Sequence, residues 1–220
     1  VLQNIIDIND SLSGEPLEIG SQLWINGRLD TLDASSKQLK TLPENIGNLS
    51  SLRKLRLGYN HLTTLPESIC NLTKLTNLGL MDNQLTTLPD SFGNLTTLKR
   101  LTIINNQLTS LPESFGNLIS LEWLILHRNQ LTSLPESFGN LISLELLYLN
   151  PNQLTSLPES FGDLISLETF SLSSNQLTTI PESICNIYPN LINFSFYDNK
   201  ICGTLPSCFT AEDIGEQNCP

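Results

Sequence analysis

Positive charge is in short supply in this chain. Eleven Lys and Arg stand against 22 Asp and Glu, for a formal net charge of −11 over 220 residues and a pI near 4.5. Phosphate binding needs a basic face, so nucleic acid is not expected as the main partner, nor is an anionic membrane surface. Long apolar runs are missing too. No stretch reaches the roughly 20 residues that cross a bilayer as a helix, so membrane insertion is not expected. No charged-then-apolar leader follows Val1; a leader already removed and a trimmed chain would both begin this way. Charged residues make up only 15% of the chain and hydrophobic ones 39%. That balance is globular rather than disordered, with a polar surface that must come from Asn, Ser, Thr and Gln.

What the chain does have is a period. Asn recurs at Asn60, Asn83, Asn106, Asn129, Asn152 and Asn175, and Pro at Pro43, Pro66, Pro89, Pro112, Pro135, Pro158 and Pro181, each in steps of 23. The unit reads LxxLxLxxNxLTxLPxSxxNLxx. It starts at Leu29, Leu52, Leu75, Leu98, Leu121, Leu144 and Leu167, then at Leu191 after a one-residue insertion. A fixed period of this length marks a solenoid. In L-x-L, alternation puts two side chains on one face of a short strand. Such a strand cannot bury its leucines alone, so neighbouring units must stack into a parallel sheet over a continuous core. The Asn follows the strand, where its amide can satisfy backbone groups otherwise buried unpaired. The Leu-Pro pair ends the turn, since Pro offers no N–H and keeps the residue before it extended. Ser-Phe-Gly-Asn-Leu then tucks an apolar side chain inward from the other side, in a short helical or 3₁₀ turn.

This unit resembles the leucine-rich-repeat family over residues 29 to 206. The resemblance implies an α/β solenoid: a curved horseshoe with a parallel β-sheet on the concave face and short helical, 3₁₀ or extended segments on the convex face. Three regions are expected. Residues 1–28 form an N-terminal cap, a helix and then a hairpin, covering the first unit with Leu2, Ile5, Ile6, Ile8, Leu17, Ile19, Leu23, Trp24 and Ile25. Residues 29–206 form eight units, the first atypical in carrying Ala34 for Leu and Lys37 for Asn. Residues 207–220 form a cysteine-containing C-terminal cap, and Asn199–Cys208 is similar to the cap of extracellular leucine-rich-repeat proteins.

Of the five cysteines, Cys70 and Cys185 fall where other units carry Gly47, Gly93, Gly116, Gly139 and Gly162. They lie five units apart, about 24 Å at roughly 4.8 Å per strand, so they cannot pair with each other. Cys70 is expected to remain a thiol. The disulfide candidates are Cys185, Cys202, Cys208 and Cys219, whose three possible pairings are left open. With no CxxC pair and no nearby His, no metal site is expected there, and no cofactor anywhere. Disulfides place the chain outside the cell or on its surface; an all-thiol chain would be cytoplasmic. Asn-x-Ser/Thr triplets at Asn9, Asn48, Asn71, Asn94 and Asn193 could accept glycans, though the repeat partly imposes them.

Function belongs on the concave face, where stacking aligns the solvent-facing residues in columns. Trp123, Ile125, Leu146 and Tyr148 form an apolar group in the middle units, with Ile104, His127 and Met81 at its edge. A solvent-facing strand position has no structural need for Trp, and Trp and Tyr are favoured interface anchors. Nine of the eleven cations lie between Arg28 and Arg100, among them Lys54, Arg56 and Arg100 on the inner strands, with Tyr59 beside them. Such a basic half-groove would attract an acidic partner segment. The acidic column Glu44, Glu67, Asp90, Glu113, Glu136, Glu159 and Glu182 belongs to the convex side. Catalysis is not expected: His127 has no nucleophile beside it, no phosphate-binding glycine motif is present, and Ser171 and Ser195 sit two or more strands away. The leading expectation is a non-catalytic recognition module, secreted or surface-displayed, that binds a protein, a peptide or a glycan. The alternatives are an intracellular scaffold or targeting domain of a larger protein, and a self-assembling surface or filament subunit.

Overall fold

Each L-x-L triplet forms a three-residue strand in the computed structural model, which describes residues 1–9 and 19–219. A hairpin opens the sheet: β1 (Ser21–Ile25) runs antiparallel to β2 (Arg28–Asp33). Its turn is Asn26-Gly27, both residues at positive φ, the pair that matches the right-handed twist of two strands. β3 (Lys54–Arg56), β4 (Asn77–Gly79), β5 (Arg100–Thr102), β6 (Trp123–Ile125), β7 (Leu146–Tyr148), β8 (Thr169–Ser171) and β9 (Asn193–Ser195) follow. Strand order equals chain order, and every pair after the hairpin is parallel. Leu55 lies beside Leu78, Leu78 beside Leu101 and Leu101 beside Leu124. The centres of β2 to β8 are buried.

On the convex side Pro43, Pro66, Pro112, Pro135, Pro158 and Pro181 are extended and hand over to a 3₁₀ turn, such as Glu113–Asn117 after Pro112. The turn drives one apolar side chain inward. In the middle units this is Phe92, Phe115, Phe138 and Phe161, whose rings stack at 6.1, 6.3 and 6.5 Å within 4° of parallel. The next residue is small for a steric reason. A Cβ on Gly93 would lie 1.8 Å from the Ser114 carbonyl oxygen, and one on Gly116 2.2 Å from that of Ser137. Cys70 occupies this column as a buried thiol, which burial pushes up to about 12.

The Asn column joins the units. Asn129 Nδ2 donates to the carbonyls of Ile103 (2.7 Å) and Leu126 (2.9 Å), while its Oδ1 accepts from the Leu108 N–H at 3.1 Å. One side chain thus satisfies groups in its own unit and in the unit before. The last unit makes the same bonds, and the N-terminal segment commits a buried Asn of its own. Asn199 makes the same bonds to Leu172, Phe196 and Leu177. Asn9, from the N-terminal segment, accepts from the Lys40 N–H and donates to Ile5 and Thr41 carbonyls. Asn9 is 1% exposed, so the expectation that its triplet could carry a glycan is corrected: the amide is buried and committed.

The caps depart in part from expectation. Helix α1 (Leu2–Asp7) buries Leu2 and Ile5, and Ile19 is buried as well. Ile8, Leu23, Trp24 and Ile25, also expected to cover the first unit, are exposed. The last three belong to β1, which is the edge of the sheet and has no strand on its outer side among the described residues. Leu17 lies outside the described residues. At the far end, Phe209 and Ile214 are buried, and Phe209 packs edge-to-face on Tyr188, Phe194 and Phe196. Helix α2 (Ala211–Ile214) starts at a Thr210–Asp213 capping box. Of the three pairings open from the sequence, the structure has Cys185–Cys208 and Cys202–Cys219. The first bridge ties the 3₁₀ turn Glu182–Asn186 of the seventh unit to the cap.

Two tests follow from this construction. Replacing Asn129 by Ala strands buried backbone groups and should cost about 1–3 kcal/mol in urea unfolding, whereas its exposed neighbour Gln130→Ala should stay within about 0.5 kcal/mol. Equal small losses would show that the column does not hold the units together. Each bridge closes a loop worth about 3 kcal/mol in chain-entropy terms. Reduction should therefore raise hydrogen exchange around Phe194–Phe209 before the central units respond, and native protein should contain one thiol, Cys70. Titration of five thiols in native protein would contradict this.

Candidate functional site on the inner sheet

The residues flanking each buried strand centre face the hollow of the sheet in two rows. One row runs Lys54, Asn77, Arg100, Trp123, Leu146 and Thr169, each in register with the next. The other runs Arg56, Gly79, Thr102, Ile125, Tyr148 and Ser171. Trp123 therefore sits directly beside Leu146, and Ile125 beside Tyr148. Trp123 is 39% exposed, and the other three are half-buried. The Arg100 guanidinium lies 4.2 Å from the Trp123 ring centroid, a cation–π contact worth about 0.5–1 kcal/mol at an exposed site.

Beside this patch the sheet carries a hollow of about 450 Å³. Lys54, Arg56, Tyr59, Met81, Arg100, Trp123 and Ile125 line it, so seven sequence-predicted residues meet in one place. Leu146 and Tyr148 extend the apolar surface onto the next strand. Ile104 and His127 stand after the strands, outside the lining of this hollow. The other lining residues were not singled out from the sequence, Asn77 and Gly79 among them. Gly79 makes the hollow, because the equivalent position elsewhere carries Arg56, Thr102, Ile125 or Tyr148. Its departure from the column was the available signal. Gly58 matters in the same way: a Cβ there would lie 2.9 Å from Met81 Cγ, so Met81 packs down onto it.

The basic half of the groove is less bare than its composition suggests. Arg53 pairs with Asp30 at 2.5 Å, Arg56 with Asp33 at 3.3 Å and Lys99 with Glu122 at 2.5 Å. The hydrogen bond from Arg53 holds the Asp30 carboxyl below its usual range. For Asp33 burial acts the other way, and bonds from Ser35 and Arg56 outweigh it. Among the described residues, Lys54 and Arg100 have no carboxylate within ion-pair distance. The far half of the groove carries a hydroxyl chain: Ser171 and Ser195 lie 2.8 Å apart, and Ser173 bonds Ser195 at 2.9 Å. Ser173 follows the strand at the position that carries Met81, Ile104 and His127 in earlier units, and is fully buried.

Models described as leucine-rich repeat region and leucine-rich repeat match residues 27–107, 97–118 and 120–177. A search of curated proteins finds no match. Among solved structures, the chain is similar to a leucine-rich-repeat protein of Leptospira interrogans at 30% identity and TM-score 0.73, covering 90% of this chain and 57% of that one. It is similar to TLR13, solved as a complex with ssRNA13, at 28% identity and TM-score 0.68, covering 78% and 25%. It also shares the fold of an internalin from Listeria monocytogenes at 23% identity and TM-score 0.70, covering 85% and 54%. The chain thus spans a quarter to somewhat over half of the length of these proteins.

His127, at the edge of the patch, gives a pH signature. Burial and the neighbouring Arg128 push its pKa below 6.5, so the folded state binds the proton more weakly than the unfolded chain does. Stability should then fall as pH drops through 6.5 and level off below the folded value. Between neutral pH and about pH 5 the wild-type melting temperature should drop more than that of His127→Gln. Parallel curves would mean that the imidazole is as free as in the unfolded chain.

Proposed function

This chain belongs to the leucine-rich-repeat family, and from that premise we propose that it is a non-catalytic recognition module that binds a protein or peptide on its concave face. Solenoids of this kind commonly present an extended concave surface to a ligand. The observation that carries the reading is the contiguous group Trp123, Ile125, Leu146 and Tyr148 on two adjacent strands. Leu124 and Leu147 beneath it are fully buried, so the core is complete without these four outward side chains. Large apolar residues that the core does not need are the usual mark of an interaction surface.

Two disulfides in the last two units and the cap support an oxidising compartment, hence secretion or display at the cell surface. The RNA in the TLR13 complex belongs to that protein. Here a net charge of −11, and three cations on or beside the inner strands already paired, favour protein over nucleic acid.

Affinity capture on the immobilised chain, followed by titration of the captured partner, tests the face. Trp123→Ala should weaken binding by about 2 kcal/mol or more, roughly 30-fold, with little change in melting temperature. Glu136→Ala on the convex side should leave affinity unchanged. Equal losses at both positions would place the binding surface elsewhere.

A further inference from the structure

We propose that the hollow over Gly79 receives an acidic side chain of an extended peptide, and that the same peptide sets an apolar residue on Trp123 and Tyr148. This inference rests on the concave-face reading and adds the chemistry of the partner. Three observations carry it. Gly79 leaves the floor of the hollow without a side chain between Arg56 and Thr102. On the parallel row, Lys54 and Arg100 stand one strand to either side of Asn77, so two cations and an amide frame the same space. Neither cation is in an ion pair among the described residues, whereas Arg53, Arg56 and Lys99 are.

The charge changes sign along the groove. Beside β7 and β8 stand the exposed Glu145 and Glu168, which would repel a carboxylate from the far half. The acidic end of the partner therefore lies toward the N-terminal units and the apolar end toward β6 and β7. Geometry sets the interval. From β4 to the midpoint of β6 and β7 is two and a half strand spacings, about 12 Å at roughly 4.8 Å each. An extended chain advances about 3.3 Å per residue, and only alternate residues share a face, so the acidic and apolar residues should be about four apart. A run of phosphates fits poorly, because two unpaired cations cannot neutralise it.

The probes are fluorescein-labelled peptides in a Gly-Ser background, with a Glu-Asp pair and a Phe four residues away. They are made in both chain directions, and the tighter is taken forward. Fluorescence anisotropy should show saturable binding that weakens at least tenfold when Glu-Asp becomes Gln-Asn, or when Phe is moved next to the acids, too close to reach Trp123 while an acid fills the hollow. Gly79→Val should weaken it similarly by filling the hollow. The nearest atom to a Cβ at Gly79 is Arg56 Cγ at 3.9 Å, so this variant should keep the wild-type melting temperature. The double variant Lys54→Gln, Arg100→Gln should lose both affinity and salt dependence. The inference fails if no peptide binds, if acid and amide peptides bind alike, or if Gly79→Val has no effect on affinity. It fails equally if a single-stranded oligonucleotide binds in the hollow and the peptides do not. Loss of captured partner by Trp123→Ala, alongside absent peptide binding, would sink this inference alone and leave the concave-face reading standing.

Discussion

A buried asparagine amide that ties each turn to the turn before it is the interaction on which this solenoid depends. A three-residue strand makes too few backbone hydrogen bonds to hold itself in place, and the loop that follows it passes under the next unit. Without a partner, its N–H and C=O groups would be buried and unpaired, at about 1–3 kcal/mol each. The Asn side chain reaches both sides at once. Asn83, for example, donates to the carbonyls of Leu57 and Leu80 and accepts from the N–H of Leu62. The amide also explains why the period is so strict. Adding or removing one residue between two Asn positions would move a donor off its acceptor in the neighbouring unit. The insertion before β9 lies in the 3₁₀ turn Tyr188–Asn190, where only the last unit and the cap follow.

Strict register is also what makes a binding surface possible. Because Leu55, Leu78, Leu101, Leu124 and Leu147 stand side by side, so do the residues that flank them. Core positions cannot vary without a packing cost, so differences between units collect on the inner rows. There they read as a sequence of surface properties: paired cations, then a hollow, then an apolar patch, then hydroxyls. The turn after the strand is held just as firmly. Tyr59, Asp82, Asn105, Arg128, Ser174 and Asp198 all take positive φ at this position, which fixes where Tyr59 and its equivalents leave the sheet. Only Pro151 cannot adopt that conformation, and there the Asn150–Pro151 peptide is cis.

What could be read from the sequence follows the same division. The fold was legible because every unit repeats its reasons: the L-x-L strand, the Asn, the Pro and the small residue before Asn-Leu. The apolar patch was legible because Trp123 and Tyr148 break a column that needs no aromatic. Features made by pairs of residues from different units were harder to see. Nothing in the periodicity says that Asp30 and Asp33 neutralise Arg53 and Arg56, because an ion pair depends on side-chain reach across a strand. The period does not show that Ser173 is buried and bonded to Ser195, one unit on. Asn9 reads as a glycan triplet because the segment holding it has no repeat, yet its amide is spent on the backbone of Ile5, Lys40 and Thr41. A missing side chain is hardest to see as a feature, and Gly79 is that case.

The balance of forces on the inner face follows from these particulars. Exposed ion pairs are worth about 0–1 kcal/mol each and are screened by salt, so Arg56–Asp33 and Lys99–Glu122 shape the surface more than they stabilise the fold. A buried aromatic anchor at an interface is worth about 2 kcal/mol or more. Affinity on this face should therefore come mainly from Trp123 and its neighbours, with charge setting direction and rate of approach. Arg100 joins the two roles. Its guanidinium rests on the Trp123 ring, which holds the cation at the border between the hollow and the patch. A partner that covers Trp123 must also cover Arg100, and burying a cation without a counter-charge is costly. The ring that supplies the binding energy thus carries with it a demand for an acidic group nearby, and a purely apolar ligand would leave that demand unmet.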